Sequence, residues 1–445
     1  MPAVTLASLD YEQFNRELRA DPLGTLTRLR GEGRVCVIPI HEAQRLIVAF
    51  DPKVAVAALA HGSRHHRELL RELLGPGLFV VASGEQWRRR RDLLRPMFTP
   101  AAVADLHGLV ADAAEDFVHR YLIPRAGTEL DVSKTLQRLS VEVILRLVEP
   151  AIAAELERLS DALIAAVDYL DRRLFDSTRV MDGEEVAFAA HKETLQEFIG
   201  RRAEKWAGAV GDQGLLARLT VALSANTRDE DPGQVLTQEI MSVFVAGVET
   251  MGALLTWVFF NLAGSEDALR RATDEAIAAD LGKPDALPAY IRAVIEESLR
   301  LYPPAWALFR RIDESLNLSG VQFQPGDFAV VPTFAMHRDP ELWADADEFC
   351  PERFLGGRPP AQQYLPFGAG PHQCLGRQFS LLEAVIATTT ILRHGRFAFT
   401  TDRVASRLRP AIALEPDPHP RAVFAGYDGI AGRSAGCRDR DGAAG

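Results

Sequence analysis

The sequence predicts a mainly α-helical fold with small β-sheets at its two ends, on three observations. Between about Ala101 and Leu301, apolar residues recur at intervals of three and four, which places them on one helix face, and strand-like alternation is sparse. Arg34 to Phe50, with Val35, Val37, Ile47 and Val48, reads instead as a hairpin, and so does Leu316 to Val331 around Pro325-Gly326. No stretch reads as a linker, so a chain of 445 residues with 47% hydrophobic content is expected to build one large domain over residues 1–425.

Within the helical region, breaks are expected at Asp171 to Glu184, Gly211 to Gly214 and Ala225 to Gly233. Two amphipathic helices within residues 151–208 flank the first break and are expected to form a mobile lid. A long apolar helix is expected from about Leu236 to Leu262. The glycine-rich end, residues 426–445, lacks an apolar pattern and is expected to be a disordered tail.

Composition removes several function classes. The formal charge of −11 disfavours nucleic acid as a partner. Met1 to Ala20 carries Asp10, Glu12, Arg16, Glu17 and Arg19, which predicts neither a signal peptide nor a membrane anchor and so a cytoplasmic protein. Cys36, Cys350, Cys374 and Cys437 show no paired spacing for disulfides or zinc. His61, His65 and His66 have no nearby acidic or cysteine array and read as surface or loop residues.

The chemistry-bearing stretch is Phe367-Gly368-Ala369-Gly370-Pro371-His372-Gln373-Cys374-Leu375-Gly376. Gly368 and Gly370 permit a tight turn whose N–H groups converge on the Cys374 sulfur and favour its thiolate, the metal-binding form. Phe367 would shield the sulfur from water, and Gly376 has no side chain to hold the following helix away from a flat cofactor. A dinucleotide-binding loop is the rival for such glycines, but Gln373 stands at the third glycine position and no βαβ pattern surrounds it. In the long apolar segment, Ala246-Gly247-Val248-Glu249-Thr250 sets a small pair, an acid and an alcohol mid-helix. Glycine there costs roughly 1 kcal/mol relative to alanine, so a packing or functional reason is expected. Glu297-Ser298-Leu299-Arg300 places an acid and a base on one helix face, ended by Pro303-Pro304, and Pro351-Glu352-Arg353-Phe354 follows downstream.

Taken together, these residues resemble the signature of the cytochrome P-450 superfamily, the haem-thiolate monooxygenases, of the soluble bacterial type. The resemblance spans Trp87 to Gly376 and implies that fold: haem b between the long distal helix and the cysteine loop. It implies Cys374 as axial iron ligand, His372, Trp87, Arg91 and Arg310 as partners of the haem propionates, and Arg311 as an alternative to Arg310. It implies that Thr250 holds dioxygen or a water, and that Glu249 helps relay the protons used to cleave O–O. Glu297, Arg300 and Arg353 would form one buried charge network that fixes the cysteine loop.

The resemblance implies O2 as co-substrate and electrons from NAD(P)H through a ferredoxin and its reductase, since the chain carries no flavin, nicotinamide or iron–sulfur fingerprint. The run Arg88-Arg89-Arg90-Arg91 with Arg95 exceeds what propionates need, and Arg88, Arg89 or Arg95 would dock an acidic donor unless they are simply a solvated face. Leu78, Phe79, Val80, Val243, Ala246, Ala305, Trp306, Leu308 and Ile412 are the expected pocket residues, with a core role as the alternative for each. Their apolar character predicts a lipophilic substrate, a terpenoid or polyketide intermediate of secondary metabolism by analogy, with fatty-acid or xenobiotic hydroxylation as the other option. A monomer is expected. A donor-independent isomerase or peroxygenase and a haem sensor share the cysteine loop, but neither requires Glu249-Thr250.

Overall fold

One helix, Pro232–Ala263, runs through the core. Asp231 caps its first turn by accepting the Gln234 N–H at 2.6 Å, Pro232 pre-sets the first helical φ, and the helix closes at Gly264. Val235, Leu236, Ile240, Phe244, Val248, Leu255 and Val258 bury it almost completely. Among the described residues it is the one helix long and apolar enough to cross a membrane, yet 78% of its most apolar window is buried inside the fold. Its main neighbour is Val132–Val148, and Gly252 sets their approach: a Cβ there would lie 3.0 Å from the Gln137 Cα.

The computed structural model of the chain describes residues 4–6, 10–41, 44–63, 71, 75–78, 84–175, 180–206, 215–226, 231–283, 287–318, 320–401 and 407–427. The expected break at 211–214 and the tail from 428 onward lie outside them. Helices Leu156–Phe175 and Glu184–Trp206 form the expected pair, but the first runs through Asp171 instead of breaking there. That residue is fixed by partners: its carboxylate pairs with Arg409 at 2.6 Å and accepts the Ile412 N–H at 3.0 Å.

The two larger sheets join strands from the two ends of the chain to strands at Glu129–Asp131 and between Leu308 and Val331. Val4–Leu6, Val35–His41, Gln44–Ala49, Phe328–Val331 and Leu308–Arg311 form a five-stranded sheet in that order, over its own apolar cluster. The Val35–His41 and Gln44–Ala49 strands are the expected first hairpin. The second differs: Leu316–Leu318 pairs with Val321–Phe323 around Gly320, whose φ is +91°, and not around Pro325-Gly326. Asp327 explains the difference. Its buried carboxylate accepts from Arg45 at 3.1 Å and from the Gln324 N–H at 2.8 Å, which draws Phe328–Val331 onto the Gln44–Ala49 strand. At the far end, Arg421–Gly426 lies between Glu129–Asp131 and Gly395–Phe399.

Candidate functional site

The cysteine loop is held by its own backbone. Gly368 and Gly370 have φ of +69° and +72°, the left-handed region in which a Cβ is strained. Gly370 also has no room: a Cβ would lie 2.7 Å from the Ala60 Cα. The loop closes through Cys374 N–H to the Phe367 carbonyl at 2.9 Å, Gln373 N–H to Gly370 at 3.0 Å and Gly368 N–H to Leu365 at 3.0 Å. Cys374 is exposed to a cavity of about 480 Å³, beneath Ala246, Gly247 and Thr250 of the Pro232–Ala263 helix. Phe367, Gly368, His372 and Gly376 line the same space, and a Cβ at Gly376 would stand 4.0 Å from the sulfur without touching other protein atoms more closely than 3.8 Å.

Cations gather around the cavity. Arg91 and Trp87 come from Gly84–Leu94, and the Arg91 guanidinium donates to the Gln373 carbonyl at 3.0 Å. Burial pulls the Arg91 pKa down, and the nearby Cys374 thiolate opposes the shift. Trp87 stacks against His372 with ring centroids 4.1 Å apart. Arg310 is buried and lines the cavity, whereas Arg311 is half exposed and pairs with Asp313 at 2.7 Å.

Glu249 and Thr250, adjacent in sequence, face different spaces because successive helix residues turn by about 100°. Thr250 lines the cysteine cavity and donates its hydroxyl to the Ala246 carbonyl at 2.9 Å. Glu249 lines a second, polar cavity of about 200 Å³ with Lys134, Gln137, Asp168, Asp171, Arg409 and Glu415. Gln137 Nε2 donates to Glu249 at 2.7 Å. Burial, together with the neighbouring Glu415, Asp171 and Asp168 carboxylates, raises the Glu249 pKa well above the ordinary carboxyl value. Around it the charges stay separated. Glu415 is held at about 2 because His419 and Arg409 outweigh its burial, and His419 is held at about 9 because Asp131 and Glu415 do the same.

Glu297, Arg300 and Arg353 do meet. The two Glu297 oxygens accept from Arg300 Nε at 2.7 Å and Nη2 at 2.8 Å, from Arg353 Nε at 3.3 Å and from the Cys350 N–H at 2.9 Å. Arg300 also donates to the carbonyls of His337, Ala346 and Glu348 at 2.6–2.9 Å. Burial and the Arg300 charge lower His337 to about 3. Its neutral Nε2 therefore accepts the Leu365 N–H at 2.9 Å, and the Leu365 carbonyl accepts from Gly368. Three hydrogen bonds thus connect the arginine to the cysteine loop.

Of the expected pocket residues, Leu78, Val243, Ala246, Ala305 and Leu308 line the cavity, and Phe79 and Val80 lie outside the described residues. Trp306 does not line it. A buried indole N–H seeks an acceptor, and this one finds the Ala411 carbonyl at 3.1 Å, which turns the ring into the core. Ile412 is also absent from the lining, its backbone held by Asp171 on the polar side. No described residue between 151 and 208 lines the cavity. His61 is exposed, and His65 and His66 lie outside the described residues.

Three polar residues of this region escape a reading of the sequence. Gln137 is one. Glu239 is another: it pairs with Arg90 at 3.1 Å and accepts the Leu78 N–H at 3.1 Å, which removes Arg90 from the exposed basic face. Glu383 lines the cysteine cavity, and burial raises its carboxyl to about 8, so it is largely protonated at neutral pH. An acid inside the apolar run Leu381 to Ile386 is the available signal.

The cytochrome P450 family profile matches residues 42–419. Cyclooctatin synthase of Streptomyces melanosporofaciens is 28% identical over 376 residues, 80% of this chain and 78% of that protein. Cyclooctat-9-en-7-ol 5-monooxygenase of the same organism is 31% identical over 346 residues, 73% of each. The crystal structure of CYP175A1 from Thermus thermophilus superposes with a TM-score of 0.73 at 25% identity, covering 94% of this chain and 99% of that one. The donor set fits the family's cofactor: a sulfur faces an apolar space, cations line its walls, and a glycine beside the sulfur leaves room for a flat ring. When bound, haem supplies the iron at which O2 is activated. A match over this much of the chain places it in the cytochrome P450 family, as a haem-dependent monooxygenase.

Proposed function

We propose that this enzyme inserts one oxygen atom of O2 into a lipophilic small molecule, by hydroxylation or epoxidation and in one or more successive steps, and reduces the other atom to water. The observation that carries the reading is the apolar cavity shared by Cys374 and Thr250. In it Cys374 is the thiolate ligand, Trp87, Arg91, Arg310 and His372 hold the propionates, and Phe367, Gly368 and Gly376 shape the proximal face. Leu78, Val243, Ala246, Ala305 and Leu308 meet the substrate. A terpenoid or polyketide intermediate is the favoured class, supported by the apolar lining and by a relative named for the monooxygenation of an alkenol.

Proton supply follows from the two faces of the helix. In the polar cavity the raised pKa of Glu249 favours its protonated form, and Gln137 orients its carboxyl. The Thr250 hydroxyl is placed in the reacting space, and it donates to Ala246 until something else accepts. Thr250→Ala should therefore uncouple the reaction. Product per NAD(P)H oxidised should fall about tenfold or more, the electrons appearing as peroxide, with the haem spectrum unchanged. Coupling equal to that of the parent would remove Thr250 from the proton path.

The electron donor we infer is a ferredoxin with its reductase, acting on a cytoplasmic, monomeric enzyme. Arg88, Arg89 and Arg95 are exposed on and just after Gly84–Leu94, on the chain segment that also presents Trp87 and Arg91 to the cavity. Arg95 lies 3.9 Å from an equally exposed Asp92, a contact too solvated to occupy it. The double variant Arg88→Glu/Arg89→Glu should lose about tenfold in ferredoxin-driven turnover at low salt and flatten its salt dependence, with haem binding intact. Unchanged kinetics would assign the patch to solvation alone. Helices Leu156–Phe175 and Glu184–Trp206 form the lid in this reading, with Phe175, Met181 and Val186 exposed at the turn between them.

A further inference from the structure

Away from both cavities, two imidazoles from different parts of the chain converge on one carboxylate oxygen. Glu115 Oε1 lies 3.1 Å from His119 Nε2 and 2.7 Å from His394 Nε2. The three ligand atoms all fall within 4.8 Å of one another, and the two rings sit edge to face with centroids 4.9 Å apart. Tetrahedral zinc, with bonds of roughly 2.0–2.1 Å to nitrogen and oxygen, needs ligand atoms about 3.3 Å apart. The two spacings to Glu115 fall 0.2–0.6 Å short of that value as hydrogen bonds, and small rotations of the three side chains would open them to it.

The local structure favours the same arrangement. Glu115 lies in His107–Phe117 and His119 four residues on, in the π-helical turn Val118–Leu122, a kind of interruption found often at functional sites. His394 is the last residue of Arg377–His394, where the unpaired carbonyls of a helix C-terminus favour a cation. The surrounding charges are engaged elsewhere. Asp116 pairs with Arg146 and Arg120, Glu142 with Arg120, and Arg393 donates to the carbonyls of Ala276 and Ala279. Among the described residues, the ion-pair partners of Glu115 are these two histidines. As an ordinary surface hydrogen-bonded trio they would contribute little. As ligands they make a site of two nitrogens and one carboxylate oxygen, typical for zinc.

We propose that Glu115, His119 and His394 bind Zn2+, with water completing the coordination, and that the ion clamps the end of Arg377–His394 onto the His107–Phe117 helix. Arg377–His394 begins three residues after Cys374, so the clamp secures the far end of the helix that the cysteine loop enters.

The test uses the chelator-treated, haem-loaded enzyme, with zinc bound per chain measured by equilibrium dialysis and elemental analysis, and unfolding followed with and without metal. One zinc should bind per chain with a micromolar dissociation constant. At a hundredfold excess over that constant, zinc should raise the melting temperature by about 3 °C, whereas Mg2+ should not. His119→Ala and His394→Ala should each weaken binding at least tenfold and abolish the shift, Glu115→Gln should weaken it, and His61→Ala should change nothing. The thiolate-type carbon monoxide spectrum reports that each variant is folded. Zinc affinity unchanged in both histidine variants, or no saturable zinc binding to the parent enzyme, would overturn the proposal.

Discussion

Replacing Cys374 by alanine should abolish monooxygenation and remove the thiolate-type absorbance shift of the reduced protein with carbon monoxide. The two losses should occur in a chain that still folds. The loop's closure relies on the Cys374 N–H to Phe367 and the Gly368 N–H to Leu365 hydrogen bonds, which alanine keeps, and on positive φ at Gly368 and Gly370, which it does not touch. The sulfur itself faces the cavity, so its removal leaves no buried polar atom behind. Far-ultraviolet circular dichroism should therefore match the parent while the spectrum and the activity fall to background. A variant that retained the thiolate-type shift would assign the axial ligand elsewhere.

The second large effect belongs to stability. Arg300 and Glu297 are fully buried, and Arg300 satisfies the Glu297 carboxylate together with three main-chain carbonyls. Arg300→Leu would leave a buried carboxylate with Arg353 as its one cationic partner among the described residues, and three carbonyls without the Arg300 donor. Breaking one side of a buried pair costs about 3–5 kcal/mol, a large share of the roughly 5–15 kcal/mol that holds a domain together. Denaturant unfolding should show that loss, and haem retention should fall with it, because the His337 carbonyl and ring link Arg300 to Leu365 and the cysteine loop. Arg353→Lys should cost much less, since its side chain is partly exposed, gives Glu297 one bond of 3.3 Å and makes its other bond, 2.8 Å to the Asp345 carbonyl, at the surface. A loss below about 1 kcal/mol in Arg300→Leu would refute the structural role assigned to the network.

Much of this is legible in the sequence because it is local. The Cys374 loop, the Glu297–Arg300 face and the Ala246 to Thr250 run each lie within a few helical turns or one tight loop, so spacing alone constrains their geometry. Trp306 departs from expectation because the acceptor that turns its indole, the Ala411 carbonyl, lies 105 residues away. Asp171 continues a helix instead of breaking it for the same reason: the Arg409 and Ile412 groups that hold it are more than 230 residues distant. The Gly320 turn escapes the sequence because Asp327 takes its strand to Arg45, a partner no local pattern can name. The division of Glu249 from Thr250 follows from helical rotation, but the packing of Val132–Val148 and the C-terminal strands decides which of the two faces the polar cavity.

That division has an evolutionary consequence. One peptide step on Pro232–Ala263 separates an apolar chamber from a charged one, and among the described residues the two chambers share none of their lining. Drift at Val243, Ala246, Ala305 or Leu308 can recast the shape of the apolar chamber without disturbing Lys134, Gln137, Asp168 or Glu415. Descendants of this chain can thus reshape the space above the cysteine through a handful of substitutions while inheriting the charged chamber whole.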